Sequence, residues 1–238
     1  MFEQDVADVY DLVYRSRGKD FEAEAAEVAE LVRSRKPDAE SLLDVGCGTG
    51  EHLLYLRKIF GHVEGLELAE AMRVIACRKL ASVTVHAGDM RTFELGRRFD
   101  CVSAMFTAIG YVGSVAEMQA AIARMAAHLN PGGVLVIDPW WFPETFLDGY
   151  IGSEIAQDGE RTVARVGRST RHDRTSRLEI HYIVADIGGI RHFTDTQALT
   201  LFTREEYLAG FDRADCDAEY VTSAHSGRGL FVGVRRQV

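Results

Sequence analysis

The chain lacks any hydrophobic run long enough to cross a bilayer. Its longest apolar stretches, such as 101–109 and 133–137, are strand-sized, and a membrane-spanning helix needs roughly 18 to 20 residues. Met1-Phe2-Glu3-Gln4-Asp5 has neither the basic n-region nor the apolar h-region of a secretory signal. The expectation is therefore a cytoplasmic protein with no membrane partner. Cysteine is scarce: Cys47, Cys77, Cys101 and Cys216 form no CxxC pair and no local Cys/His pattern. No structural zinc or other metal is expected, and the four read as reduced thiols, mostly in the core. Basic residues are in deficit, with 27 Lys and Arg against 36 Asp and Glu and a net charge of −9. That argues against a nonspecific nucleic-acid binder, which needs a basic face to displace phosphate counterions. A phosphorylated ligand would need a local cluster of Arg or Lys. Internal repeats and low-complexity segments are also absent.

What is present suits one α/β domain, alone or with an insertion, because 238 residues at 47% hydrophobic content build a substantial core. A helix is expected over 19–35, with Phe21, Ala25, Val28, Ala29, Leu31 and Val32 near one face. A strand over 42–45 then leads into Gly46-Cys47-Gly48-Thr49-Gly50, after which Leu53, Leu54, Leu56 and Ile59 recur at helical spacing. The cycle repeats: strand 63–66, helix 69–80, strands 83–86 and 101–105, helix 115–129, strand 134–138. Such alternation implies a mostly parallel sheet covered on both faces. After Pro143 the segments 161–169, 177–185 and 197–202 alternate polar and apolar residues like antiparallel strands. Residues 140–201 thus read as a β-rich insertion carrying substrate contacts, set into a core of 1–139 plus 202–238. A helix over 204–211 follows, then strands 218–223 and 230–234 around Ser226-Gly227-Arg228-Gly229.

The densest chemical signal is Asp44-Val45-Gly46-Cys47-Gly48-Thr49-Gly50. Gly46, Gly48 and Gly50 let the backbone turn sharply and approach a ligand where a Cβ would collide. Asp44, at the strand end, can accept from a ligand ammonium. The spacing is GxGxG rather than the GxGxxG of a NAD fingerprint, which disfavours a dinucleotide without excluding it. Glu67 ends the second strand, where a carboxylate accepts ribose hydroxyls. Asp89, after the third strand, can accept from an adenine amine while Met90 faces the ring. A strand-end acid or a turn glycine is by itself unremarkable. Three such acids in register at adjacent strand ends look like the class I S-adenosylmethionine-dependent methyltransferase fold, over residues 41–138.

Aromatic residues carry the second signal. Tyr10 and Tyr14 lie four apart and share a helical face. They read either as core packing or as an N-terminal lid over the cofactor, with Arg17 or Lys19 near its carboxylate. Both tryptophans stand together in Asp138-Pro139-Trp140-Trp141-Phe142-Pro143, either as a hinge into the insertion or as a wall for a sugar or base. Arg165, Arg168, Arg171, Arg174, Arg177 and Arg228 are either solvated surface or a local patch for a diphosphate.

Tyr10-Asp11-Leu12, Arg17-Gly18-Lys19-Asp20, Gly65-Leu66-Glu67-Leu68, Gly88-Asp89-Met90-Arg91, Met105-Phe106, Gly110-Tyr111, Trp140-Trp141-Phe142 and Ser226-Gly227-Arg228-Gly229 together closely resemble the bacterial N,N-dimethyltransferases of deoxyaminosugar biosynthesis. Asp138, where that family often carries Glu, is a departure. The resemblance implies S-adenosylmethionine as cofactor and a dTDP-3-amino-deoxyhexose as substrate, on the way to desosamine or mycaminose. It implies Tyr10, Arg17, Asp44, Gly46, Gly48, Glu67, Asp89, Met90 and Met105 at the cofactor. Tyr14, Trp140, Trp141, Arg165, Arg168 and Arg228 fall to the nucleotide sugar. Tyr111 is expected beside the amine as a contact, not an obligatory base. A homodimer paired through the insertion is also expected. A methyltransferase of another amine or hydroxyl, a noncatalytic S-adenosylmethionine-binding protein and a NAD-dependent enzyme stay open.

Overall fold

In the computed structural model, which describes residues 3–237, the apolar run after Glu40 forms β1 (Ser41–Val45). Four of its five residues are fully buried, as a strand covered on both faces requires. Met1 and Phe2, which open the segment read for a secretory signal, lie outside the described residues. β2 (His62–Glu67), β3 (Thr84–Ala87), β4 (Phe99–Ala104) and β5 (Leu129–Ile137) join β1 in parallel. β10 (Cys216–Val221) and β11 (Leu230–Arg235) close the sheet antiparallel. The order is β10-β11-β5-β4-β1-β2-β3. Strand order reverses between β1 and β4, and ligands of such sheets bind at the carboxyl ends near that switch point.

Helices α2 (Phe21–Arg33), α3 (Glu51–Leu56), α4 (Glu70–Lys79), α5 (Val115–Ala127) and α6 (Arg204–Arg213) flank this sheet. Asp20 caps α2 by accepting from the Ala23 N–H, so the helix starts two residues later than its apolar spacing suggests. Ser114 caps α5 in the same way, and Thr203 with Glu206 forms a capping box on α6. Met118, Ala121, Ile122 and Met125 of α5 pack into one face of the core, and Val28, Ala29 and Val32 of α2 into the other.

Between β5 and α6 the chain builds a second sheet of four antiparallel strands in chain order: β6 (Ile151–Gln157), β7 (Thr162–His172), β8 (Thr175–Asp186) and β9 (Gly189–Thr200). Sequence patterning anticipated only three segments here. β6 was missed, and β9 begins eight residues earlier than expected because its first half is polar and largely solvent-facing. The N-terminal segment forms a 13-residue helix, α1 (Gln4–Ser16). Its Val6, Val9 and Val13 are buried against Ala156, Val163, Ile180 and Val184 of the second sheet.

Candidate active site

A cavity of about 1200 Å³ opens at the carboxyl ends of β1 to β5 and is walled by α1 and the inner face of the second sheet. At the end of β1, Asp44 is 1% exposed. Ser103 Oγ donates to its Oδ1 at 2.8 Å, while Oδ2 has no partner. Burial raises this carboxyl to about 6. A buried carboxylate with an open acceptor fits a ligand ammonium, which would supply the missing donor. Gly46, at φ +72°, turns the chain directly beyond, and a Cβ there would lie 2.7 Å from the Cβ of Ala108. Glu67, at the end of β2, accepts from the Gly48 N–H at 2.8 Å and the Ala69 N–H at 2.6 Å. These bonds fix one oxygen against the glycine turn and the other at the start of α4, each with a further lone pair. Burial raises Glu67 as well.

Asp89 lies beyond β3, but its carboxylate accepts from the Arg91 N–H at 2.9 Å and from the Arg91 guanidinium. Those bonds hold it below the usual carboxylate range. An adenine amine would therefore share these oxygens with Arg91. Met90, Met105 and Arg17 also line the cavity.

Helix α1 has two faces. Its valines are core, while Tyr10 and Tyr14 line the cavity with ring centroids 4.6 Å apart. Tyr14 meets Phe106 edge-on at 4.9 Å, and Lys19 Nζ sits 3.9 Å from the centre of that ring. Phe106 and Thr107 both have positive φ, at 49° and 67°, a costly arrangement that tends to persist at ligand sites. Composition gives no hint of that strain. Glu24 and His52, both buried, pair at 2.7 Å on the wall beside Asp44; spacing does not reveal them, since they meet across 28 residues.

Tyr111, on a 3-10 turn at Ala108–Tyr111, donates its hydroxyl to Gln197 Oε1 at 2.9 Å, and Gln197 Nε2 donates to Asp195 at 2.6 Å. The Tyr111 ring faces the cavity space, yet desolvation by its surroundings raises its phenol well above the ordinary value. It stays protonated at neutral pH. Gln197 and Asp195 were not singled out in the sequence, where they are two polar residues in an alternating strand.

The arginines separate. Arg165 is 7% exposed, lines the cavity and leaves its Nε without a partner. Arg168, exposed and one residue out of phase, borders the cavity. Arg171 instead donates to Pro143 and Asp173 carbonyls, and Arg174 pairs with Glu206. Neither they nor Arg177 line the cavity. Arg228 does, but not as an unengaged cation. It pairs with buried Asp138 at 3.2 Å, donates to the Pro139 carbonyl at 2.8 Å and lies 5.9 and 5.5 Å from the Trp140 and Trp141 rings. Trp140 in turn donates to Ser176 Oγ at 2.8 Å. The tryptophan pair stands between β5 and β6 and lines the cavity, braced by Arg228.

Among proteins of known function, the methyltransferase domain family matches residues 42–133. Over 235 residues the chain is 53% identical to the dTDP-3-amino-3,4,6-trideoxy-alpha-D-glucopyranose N,N-dimethyltransferase of Streptomyces venezuelae, covering 98% of this chain and 99% of that protein. It is 47% identical to the dTDP-4-amino-2,3,4,6-tetradeoxy-D-glucose N,N-dimethyltransferase of Saccharopolyspora spinosa, over 99% of this chain and 94% of that one. Among solved structures it superposes on Streptomyces venezuelae DesVI with a TM-score of 0.94 at 52% identity, covering 98% of this chain and all of that one. An S-adenosylmethionine-bound amino pentose methyltransferase of Micromonospora echinaspora gives 0.88 at 54% identity, over 99% and 98% of the two chains.

Proposed function

Because this chain belongs to the S-adenosylmethionine-dependent N,N-dimethyltransferases of dTDP-linked amino sugars, we propose that it dimethylates the 3-amino group of a dTDP-3-amino-deoxyhexose of the desosamine or mycaminose type. One observation carries the reading. The same cavity has a buried carboxylate with an open oxygen, Asp44, at the glycine turn and a buried guanidinium with an open N–H, Arg165, on the opposite sheet. The first suits the ammonium of S-adenosylmethionine, the second the diphosphate of a nucleotide sugar.

Asp44 holds the cofactor's ammonium, Glu67 its ribose and Asp89 its adenine amine, with Tyr10, Arg17, Gly46, Gly48, Met90 and Met105 completing that end. S-adenosylmethionine, when bound, supplies a methyl carbon activated by a sulfonium leaving group. The chain contributes orientation and exclusion of water. Tyr14, Phe106 and Tyr111 enclose the reacting region in aromatic surface, and Arg165, Arg168, Trp140 and Trp141 hold the nucleotide sugar. Tyr111 remains a phenol and orients the amine rather than taking its proton. Arg228 acts through its support of the tryptophans as much as through its own charge. Both reactants are charged metabolites of the cell interior, so the enzyme works in the cytoplasm, as a homodimer joined through the outer face of the second sheet.

Mass spectrometry after incubation with S-adenosylmethionine and a panel of dTDP-3-amino, dTDP-4-amino and hydroxyl sugars tests this. The expected product is the 3-amino sugar carrying two N-methyl groups. O-methylation alone, or tight cofactor binding with no transfer to any nucleotide sugar, would overturn it.

A further inference from the structure

An alkyl amine is protonated at neutral pH and has no lone pair for attack until it loses that proton. The phenol of Tyr111 does not take it, since a tyrosine hydroxyl is protonated at neutral pH and this one donates its proton to Gln197 Oε1. The cavity contains a group that can. Asp195 lies on the inner face of β9, partly buried, and lines the cavity. No cationic side chain pairs with it among the described residues; its hydrogen-bond donor is Gln197, which accepts from Tyr111. Desolvation raises the phenols of Tyr14, Tyr111 and Tyr182 and the Asp195 charge adds to it, in keeping with its place on the cavity wall beside these aromatic residues.

Register gives its relation to Arg165. Arg165 faces Tyr182 on β8, and Asp195 faces Ile180 two residues along. Two strand spacings across and two residues along separate their Cα atoms by roughly 12 Å. Between them lies β8 with Ile180 and Tyr182, and in the row of Asp195 the next two strands carry only Gly167 and Gly152. Among the described residues Arg165 forms no ion pair, although Glu154 stands opposite it on β6, and Asp195 has no basic partner, so the same cavity wall offers a cation and a carboxylate on either side of β8. A zwitterionic ligand with a phosphate at one end and an ammonium at the other matches that division of charge.

Resting on the amino-sugar reading above, we propose that Asp195 is the carboxylate that binds the ammonium form of the sugar substrate and accepts its proton. The ammonium nitrogen gives one proton to the Asp195 carboxylate and keeps the bonding pair. That pair forms the N–C bond as the C–S pair returns to sulfur, leaving an N-methyl ammonium. Asp195 releases its proton through the open cavity before the second round, in which the N-methyl ammonium is again a cation it can bind. Gln197 is a positioning residue that ties the carboxylate to Tyr111.

The test compares wild type with Asp195→Asn, which keeps an acceptor for Gln197 while removing the charge. Two ligands are titrated calorimetrically without cofactor: a dTDP-3-amino-3,6-dideoxyhexose and the same nucleotide sugar with a hydroxyl in place of the amine. The variant is expected to bind the amine about 10- to 100-fold more weakly, the scale of a lost charge-assisted hydrogen bond. The hydroxyl sugar and S-adenosylmethionine should bind within twofold of wild type. Its turnover deficit should narrow as pH rises and the amine deprotonates in solution. Retention of amine affinity, or equal loss for amine and hydroxyl sugars, overturns the assignment. Asp195→Ser repeats the comparison if the first variant melts early. If wild type methylates the amine and Asp195→Asn does so equally, only the role of Asp195 fails. If wild type methylates no nucleotide amino sugar, the functional reading fails and takes this role with it.

Discussion

Asp44 is a carboxylate held in the core with one oxygen unserved, and its titration follows from that placement. Its rise from 3.8 to about 6 comes first from desolvation, opposed by His52 and by the Ser103 hydroxyl. The group is fully buried, so the rise corresponds to on the order of 3 kcal/mol. Its sign is unfavourable at neutral pH. The stability linked to this group is fully present below about pH 4, where folded and unfolded chains are both protonated, and is lost as pH climbs through about 6. A ligand ammonium against the open oxygen would relieve that cost, so the proposed role of Asp44 couples cofactor binding to its ionisation. S-adenosylmethionine affinity is expected to weaken about tenfold per unit as pH falls below 6. Asp44→Asn should bind it about 10- to 100-fold more weakly at pH 7 and lose this dependence. Calorimetric titrations from pH 5 to 8 read both effects, and a flat wild-type profile would remove Asp44 from the cofactor. The three strand-end acids were legible in the sequence because each sits in a local motif of glycine and strand. Asp195 was not, because nothing local says which residues of an alternating strand face inward. Arg228 was visible as a residue but not in its bond to Asp138, which joins positions 90 apart.

Helix α1 connects the two halves of the site. On one side Val6, Val9 and Val13 bury themselves in the second sheet. On the other, Asp11 accepts from Thr49 of the glycine turn and from Lys79 of α4, while Arg15 binds buried Glu51 of α3 at 2.9 Å. Tyr10 and Tyr14 are thereby held over the cavity by contacts with both sheets. Val9→Ala removes two methyl groups from a fully buried position, a cost of about 1 to 3 kcal/mol that falls on a satellite cluster and not on the main core. The expected result is faster amide exchange along α1 and higher KM for both substrates, with the exchange of β1 and β4 amides unchanged. Uniform loss of protection across the molecule would show that α1 is instead part of the global core. The sequence marked this segment as aromatic and helical in spacing, but its partner sheet includes β6, whose exposed Ile151 and Ile155 disguise the alternation of an edge strand.

For the whole molecule, the second sheet has an inner face covered by α1 and the cavity, and an outer face that is less polar than an exposed antiparallel sheet usually is. Register places Ile155, Ala164 and Ile183 in one row, Val166 beside His181 in the next and Ala185 beside Ile190 in a third. Ile155, Val166, Ile183 and Ile190 are 50 to 79% exposed. Apolar rows grouped on one flat face fit a second copy of the chain turned about a twofold axis, since each row then meets its own equivalent. The cavity opens on the opposite side, so such a dimer leaves both sites accessible. Each copy carries a net charge of −9, and this repulsion should make association tighten as salt is raised from low ionic strength. Light scattering on the eluting protein is expected to give twice the 26.4 kDa of one chain. Val166→Glu with Ile183→Glu should give a monomer that keeps its S-adenosylmethionine affinity. A wild-type chain that stays monomeric at micromolar concentration and raised salt would refute the dimer while leaving the cavity assignments untouched, because no residue assigned to either ligand lies in those three outer rows.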